Sequence, residues 1–186
     1  MKKIIIASLL FFIPSYAYAQ SADPIVTINT VDACKSLENE IDAANEESAR
    51  LDTLLSSPIT QDVFLNDLYE GIKILTKSGD LFFKAADSHE NACKDKLKAA
   101  GDYDGILALY DRYLLPVQKA RLFFKKAREA AVSLNRQDDV NTFNKTMLEY
   151  DSAIMQLVGV CEADLADTPK REACKSLSAK LGDALN

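Results

Sequence analysis

The chain has 186 residues, a formal net charge of -6, 48% hydrophobic residues, six glycines, five prolines and no tryptophan. An acidic chain is repelled by phosphate backbones and by anionic bilayers, so the charge excludes nucleic-acid binding and disfavours membrane surfaces. Few glycines and prolines favour helices over a turn-rich sandwich.

Residues 1–19 read as a signal peptide. Lys2 and Lys3 form the basic start, Ile4 to Ile13 the apolar run, and Ala17-Tyr18-Ala19 a small-residue cleavage site. The apolar run is too short to span a bilayer, and no later stretch is long enough, so no membrane insertion is expected after cleavage. Cleavage removes two lysines and no acids, which takes the charge from -6 to -8. The expected location is the periplasm or the medium. Residues 20–31, polar and without a period, read as an extended lead-in. Residues 32–186 suit one domain.

Asp32 is placed to cap a first helix whose apolar stripe is Cys34, Leu37, Ile41, Ala44, Ser48, Leu51 and Leu55. Ser56-Ser57-Pro58 ends it and Thr60 opens the second. That helix carries Leu65, Leu68, Ile72, Leu75, Gly79, Phe82, Ala86, His89 and Cys93 on one stripe. Glycine costs about 1 kcal/mol inside a helix and Asp80 can cap a fresh start, so near Ser78-Gly79-Asp80 a bend or short break and a straight helix are equally expected. Gly101-Asp102 is a stop followed by a cap.

The third helix is the most apolar. Ile106, Tyr110, Tyr113, Val117, Ala120, Phe124, Ala127, Ala131 and Leu134 alternate steps of three and four without a miss. Leu114, Leu115, Leu122 and Phe123 lie outside that stripe, so this helix needs neighbours on more than one side. Pro116 predicts a kink within it. Asn135 and Gln137 mark a turn. The fourth helix aligns Val140, Phe143, Met147, Tyr150, Ile154, Leu157 and Cys161, and Thr168-Pro169 starts a short fifth helix with Cys174, Leu177, Leu181 and Leu185. Leu81-Phe82-Phe83 and Leu122-Phe123-Phe124 suggest an aromatic layer where the second and third helices pass.

The fold expected is all-α, an antiparallel four-helix bundle with a short C-terminal fifth helix, disulfide-stapled near one end. All four cysteines, Cys34, Cys93, Cys161 and Cys174, fall on buried stripes toward that end. An even count in an exported chain reads as two disulfides, and the paired spacing of a zinc site is lacking. The preferred pairing is Cys161 with Cys174 across the Pro169 turn and Cys34 with Cys93. Counted back from Pro58, Cys93 stands roughly 15 Å beyond Cys34, so a broken second helix or a slid first helix is needed. An unbroken second helix would set Cys93 level with Cys161 instead, and Cys34 with Cys174.

Catalytic motifs are not found. His89 is the only histidine and sits on an apolar stripe; no nucleophile motif, phosphate loop or paired Glu-x-x-His accompanies it. No catalytic residue, cofactor or metal ligand is assigned. The expected function is non-enzymatic binding of another protein, as an inhibitor or immunity-type protein or an accessory subunit of an envelope secretion or conjugation system. The candidate partner patch is Leu114, Leu115, Lys119, Leu122, Phe123 and Lys126, an apolar centre with a basic rim completed by Arg121, Lys125 and Arg128. The alternative is a small-ligand pocket, or a haem held by His89 with Met147 or Met155.

Overall fold

The computed structural model describes residues 30–56 and 59–177. The predicted signal peptide, most of the lead-in, the Ser57-Pro58 turn, Leu181 and Leu185 lie outside the described residues. Among the described residues are four α-helices: α1 (Thr30–Ala49), α2 (Gln61–Ala100), α3 (Tyr103–Ser133) and α4 (Gln137–Asp164). Two 3-10 turns, Arg50–Thr53 and Arg171–Cys174, complete the set. The result is a disulfide-stapled helical bundle. No helix among the described residues is long and apolar enough to cross a membrane.

Local chemistry sets most of the boundaries. The Thr60 hydroxyl accepts from the Val63 amide at the start of α2, and Asp102 accepts from the Gly105 amide at 2.8 Å at the start of α3. Gly101 ends α2 in the left-handed region at φ 66°, where a side chain would be strained. Asn135, at φ 56°, makes the corresponding turn between α3 and α4. The α3 helix runs unbroken through Pro116.

Three boundaries differ from expectation. Helix α1 begins at Thr30, so Asp32 lies within the helix and not at the position before it. The same helix ends at Ala49 rather than near Leu55. Leu51 and Leu55 are still buried, but they hang from a connector, with Leu55 at φ 54° and its amide bonded to Asp67 Oδ2 at 2.8 Å. At the C-terminal end, the expected helix from Pro169 is first a 3-10 turn at Arg171–Cys174.

Of the outcomes left open at Ser78-Gly79-Asp80, α2 takes the unbroken one. The helix continues through Ser78, Gly79 and Asp80, with the Ser78 hydroxyl donating to the Ala44 carbonyl of α1 at 2.8 Å. The disulfides are nevertheless Cys34–Cys93 and Cys161–Cys174, with Cα separations of 4.7 and 5.8 Å. The connector resolves the conflict. Because Leu55 is tied to Asp67, the first two turns of α2 face the connector, and α1 starts about 10 Å farther along than a tight turn at Pro58 implies. A slid first helix, not a broken second one, brings Cys34 to Cys93.

The buried residues form two clusters. One contains Leu37, Ile41, Ile106, Tyr110, Tyr113, Leu114, Ile154 and three of the four disulfide cysteines, with Cys34 packed against it. The other contains Leu51, Phe64, Leu75, Phe123, Phe124, Phe143 and Tyr150. The two Leu-Phe-Phe runs therefore do not share one layer. Phe82 packs edge-on to Tyr113 at 5.2 Å, whereas Phe124 stacks on Tyr150 at 5.8 Å. The Phe123 ring occupies the space a side chain would need at Gly71, so only glycine fits there.

Candidate functional site

Helices α2 and α4 meet at both ends. At one, the Phe64 and Phe143 rings pack edge-on at 6.4 Å. At the other, Lys94 and Lys98 of α2 reach Asp164 of α4 at 2.8 and 2.9 Å. Between these contacts lies a cavity of about 190 Å³ walled by α2, α3 and α4. Its size exceeds the roughly 150 Å³ of a dry apolar cavity that admits benzene. Leu75, Ala120 and Tyr150 close one end; Phe82, Tyr113, Val117 and Leu157 line the middle. Half-buried Phe83 on α2 and exposed Gln156 and Val160 on α4 mark the mouth.

The cavity follows from residue size. Ser78, Gly79, Ala120 and Ala153 all lie on its wall, and Pro116 faces it from α3. Small side chains at facing positions leave space that long ones would fill. Gly79 and Ala120 sit on predicted stripes, so this signal was present in the sequence.

At the other end, Glu90 and Tyr110 are part of the wall. Behind them is a compact network. Lys94 contacts Glu90 at 2.5 Å, Asp164 at 2.8 Å and the Tyr110 hydroxyl at 2.8 Å, and the Tyr110 hydroxyl donates to Asp164 at 2.5 Å. Burial alone would raise the Asp164 carboxyl, but hydrogen bonds from Lys94, Tyr110 and Lys98 outweigh it and hold the pKa at about 2. Burial, reinforced by Asp164, pushes the Tyr110 phenol well above its ordinary range. Burial opposes the Lys94 charge, yet Glu90 and Asp164 raise its pKa overall. Lys94 and Asp164 are thus oppositely charged at neutral pH, with the protonated Tyr110 hydroxyl bonded to both.

The predicted patch is divided by the structure. Leu114 and Phe123 are each 1% exposed and belong to the core, whereas Leu115 is 45% exposed on another face. Adjacent residues on a helix point about 100° apart, so Leu114 is inside and Leu115 outside, and Leu122 is half-buried beside the buried Phe123. The basic rim is largely engaged. Lys119 pairs with Asp52, Lys126 donates to the Asp52 carbonyl, Arg128 donates to Asn144, and buried Arg121 bonds Asp151 through both Nε and Nη2. Four of the six patch residues, Lys119, Leu122, Phe123 and Lys126, do line one recess of about 270 Å³ beside Leu51 and Asp52.

His89 stands 3.9 Å from Glu40 of α1 and is not on the cavity wall. Met155 is 61% exposed and Met147 packs with the Phe124 cluster. These three residues are in different places, so the haem arrangement considered from the sequence is not assembled. No group of His, Cys, Asp and Glu suited to a metal ion occurs among the described residues. No protein family, curated protein or solved structure matches the chain.

Proposed function

We propose that the protein is an exported, non-enzymatic binding module that holds a small apolar group in the cavity between α2, α3 and α4. The observation that carries this is the cavity itself, partly open and walled by aliphatic and aromatic side chains at the junction of three helices. Among the described residues, the polar or partly polar ones on the wall are Ser78, Gln156, Glu90 and three tyrosines, a set that suits binding. Export is supported by the leader-like residues 1–19 and by two disulfides, which persist in oxidising compartments.

Titration with toluene, followed by methyl resonances of Ala120, Ala153 and Leu157, tests the reading. Saturable shifts confined to these groups are expected, and Ala153→Leu, which fills the cavity, should abolish them. Absence of saturable shifts in the wild-type protein would sink the reading.

The recess at Lys119, Leu122, Phe123 and Lys126 favours a second reading, binding of a protein partner of the inhibitor, immunity or secretion-accessory kind. It presents part of an apolar floor within a charged rim. Leu122→Glu should then abolish capture of an envelope partner without changing toluene binding. Unchanged capture removes the recess from consideration.

A further inference from the structure

Resting on the reading of the cavity as the binding site, we infer that its ligand class is a small amphiphilic amine. Its six-carbon chain or single ring enters the blind end and its protonated nitrogen meets Glu90. The wall has a direction. Ala120 at the apolar end and Tyr110 at the polar end are ten residues apart on α3, about 15 Å along the bundle. Among the described residues, Glu90 is the one charged residue on the wall, and no lysine or arginine lines it.

The charge on Glu90 is less compensated than that on Asp164. Lys94 is shared between the two carboxylates, at 2.5 Å from Glu90 and 2.8 Å from Asp164. Asp164 also receives Lys98 at 2.9 Å and the Tyr110 hydroxyl at 2.5 Å, whereas among the described residues Glu90 pairs with Lys94 alone. Glu90 is 8% exposed, so it sits where charge interactions are weakly screened. An ammonium brings three donors and the opposite charge to this carboxylate. A fatty carboxylate brings a like charge, with no wall cation to receive it. The net charge of -6 favours cations over anions at longer range as well. The cavity volume of about 190 Å³ limits the apolar part to a short chain or one ring.

Calorimetric titration of the full protein at pH 7 with n-hexylamine, n-hexanol and n-hexanoate tests this. Hexylamine should bind most tightly and hexanoate should not bind measurably. Glu90→Gln should weaken hexylamine about tenfold, the worth of one bond to a charged group, and leave hexanol within about twofold. Gln156→Glu, at the exposed mouth, adds a carboxylate without touching the Lys94 network and should tighten hexylamine alone. Equal binding of amine and alcohol, unchanged in both variants, overturns the amine assignment while the cavity stands. Hexanoate binding as well as hexylamine overturns it too. If none of the three binds, the cavity reading itself falls.

Discussion

The two halves of the bundle are held by different means. The half that contains Leu37, Ile106, Tyr110 and Ile154 carries both disulfides and the Lys94–Tyr110–Asp164 network. The half around Phe124 has neither, and relies on rings: Phe123 against Phe124 at 5.3 Å, Phe124 against Phe143 at 5.9 Å, and Tyr150 stacked beyond. Edge-on and offset ring pairs each add about 0.5–1.5 kcal/mol beyond their burial. One half is covalently pinned around a polar network; the other is packed around rings, with the buried Arg121 paired to Asp151 at its side. The cavity lies at their junction, where neither device fills the space between α2 and α4.

The largest effect should come from breaking the ring-packed half. Phe123→Asp strands a charge among Gly71, Phe124 and their neighbours, and should cost about 5 kcal/mol in urea unfolding. A change below 1 kcal/mol would mean that Phe123 faces solvent, which would restore the patch suggested by the sequence.

The pinned half should respond next. The Cys34–Cys93 bond closes a loop with a sequence separation of 59, against 13 for Cys161–Cys174. On chain-entropy grounds, replacing the first pair by alanine should cost about 4 kcal/mol and the second about 3. Equal or reversed costs would show that native-state strain, not loop length, decides their worth. Peptide mapping without reduction should recover the same two linked pairs.

How much of this was legible follows from what kinds of signal a linear pattern carries. Stripes of apolar residues at steps of three and four name the four helices, because a helix must bury one face wherever it packs. Caps such as Thr60, Asp102 and Gly101 are local and readable for the same reason. Whether α2 breaks near Gly79 could not be decided from the sequence, because the cost of glycine is local while its remedy is not: the Ser78 hydroxyl reaches Ala44 on another helix, and Gly79 is buried. Lys94 and Asp164 were invisible as a site, since a lysine and an aspartate seventy residues apart both read as solvated. The cavity depends on how far α2 and α4 diverge, which no single residue states, although Gly79 and Ala120 on buried stripes hint at missing volume.

A smaller effect separates the polar network from the disulfides beside it. Asp164 titrates at about 2 in the folded protein against an ordinary 3.8, so folding favours its ionised form. That contribution, about 2 kcal/mol, is fully present above pH 4 and is lost as pH falls through 2. Urea midpoints measured between pH 5 and pH 2 should fall in the wild type and fall less in Asp164→Asn. Parallel slopes for the two proteins would mean that other carboxylates govern acid unfolding.

The smallest effect belongs to Leu115, and it is the sharpest test of how α3 sits between the two halves. Leu114 and Leu115 look alike in sequence, yet one is 1% and the other 45% exposed. Since α1, α2 and α4 all pack on α3, only a narrow strip of it faces water, and Leu115 lies on that strip. Leu115→Asp adds a charge where water already reaches, so the expected change in stability is within about 0.5 kcal/mol. Leu114→Asp, one residue away, should cost several kcal/mol by the same reasoning that applies to Phe123. A contrast of this size fixes the rotation of α3 to within half a turn. Comparable losses from both variants would mean that the Leu115 face is also covered in solution, and the division of α3 into a buried and a wet side would have to be redrawn.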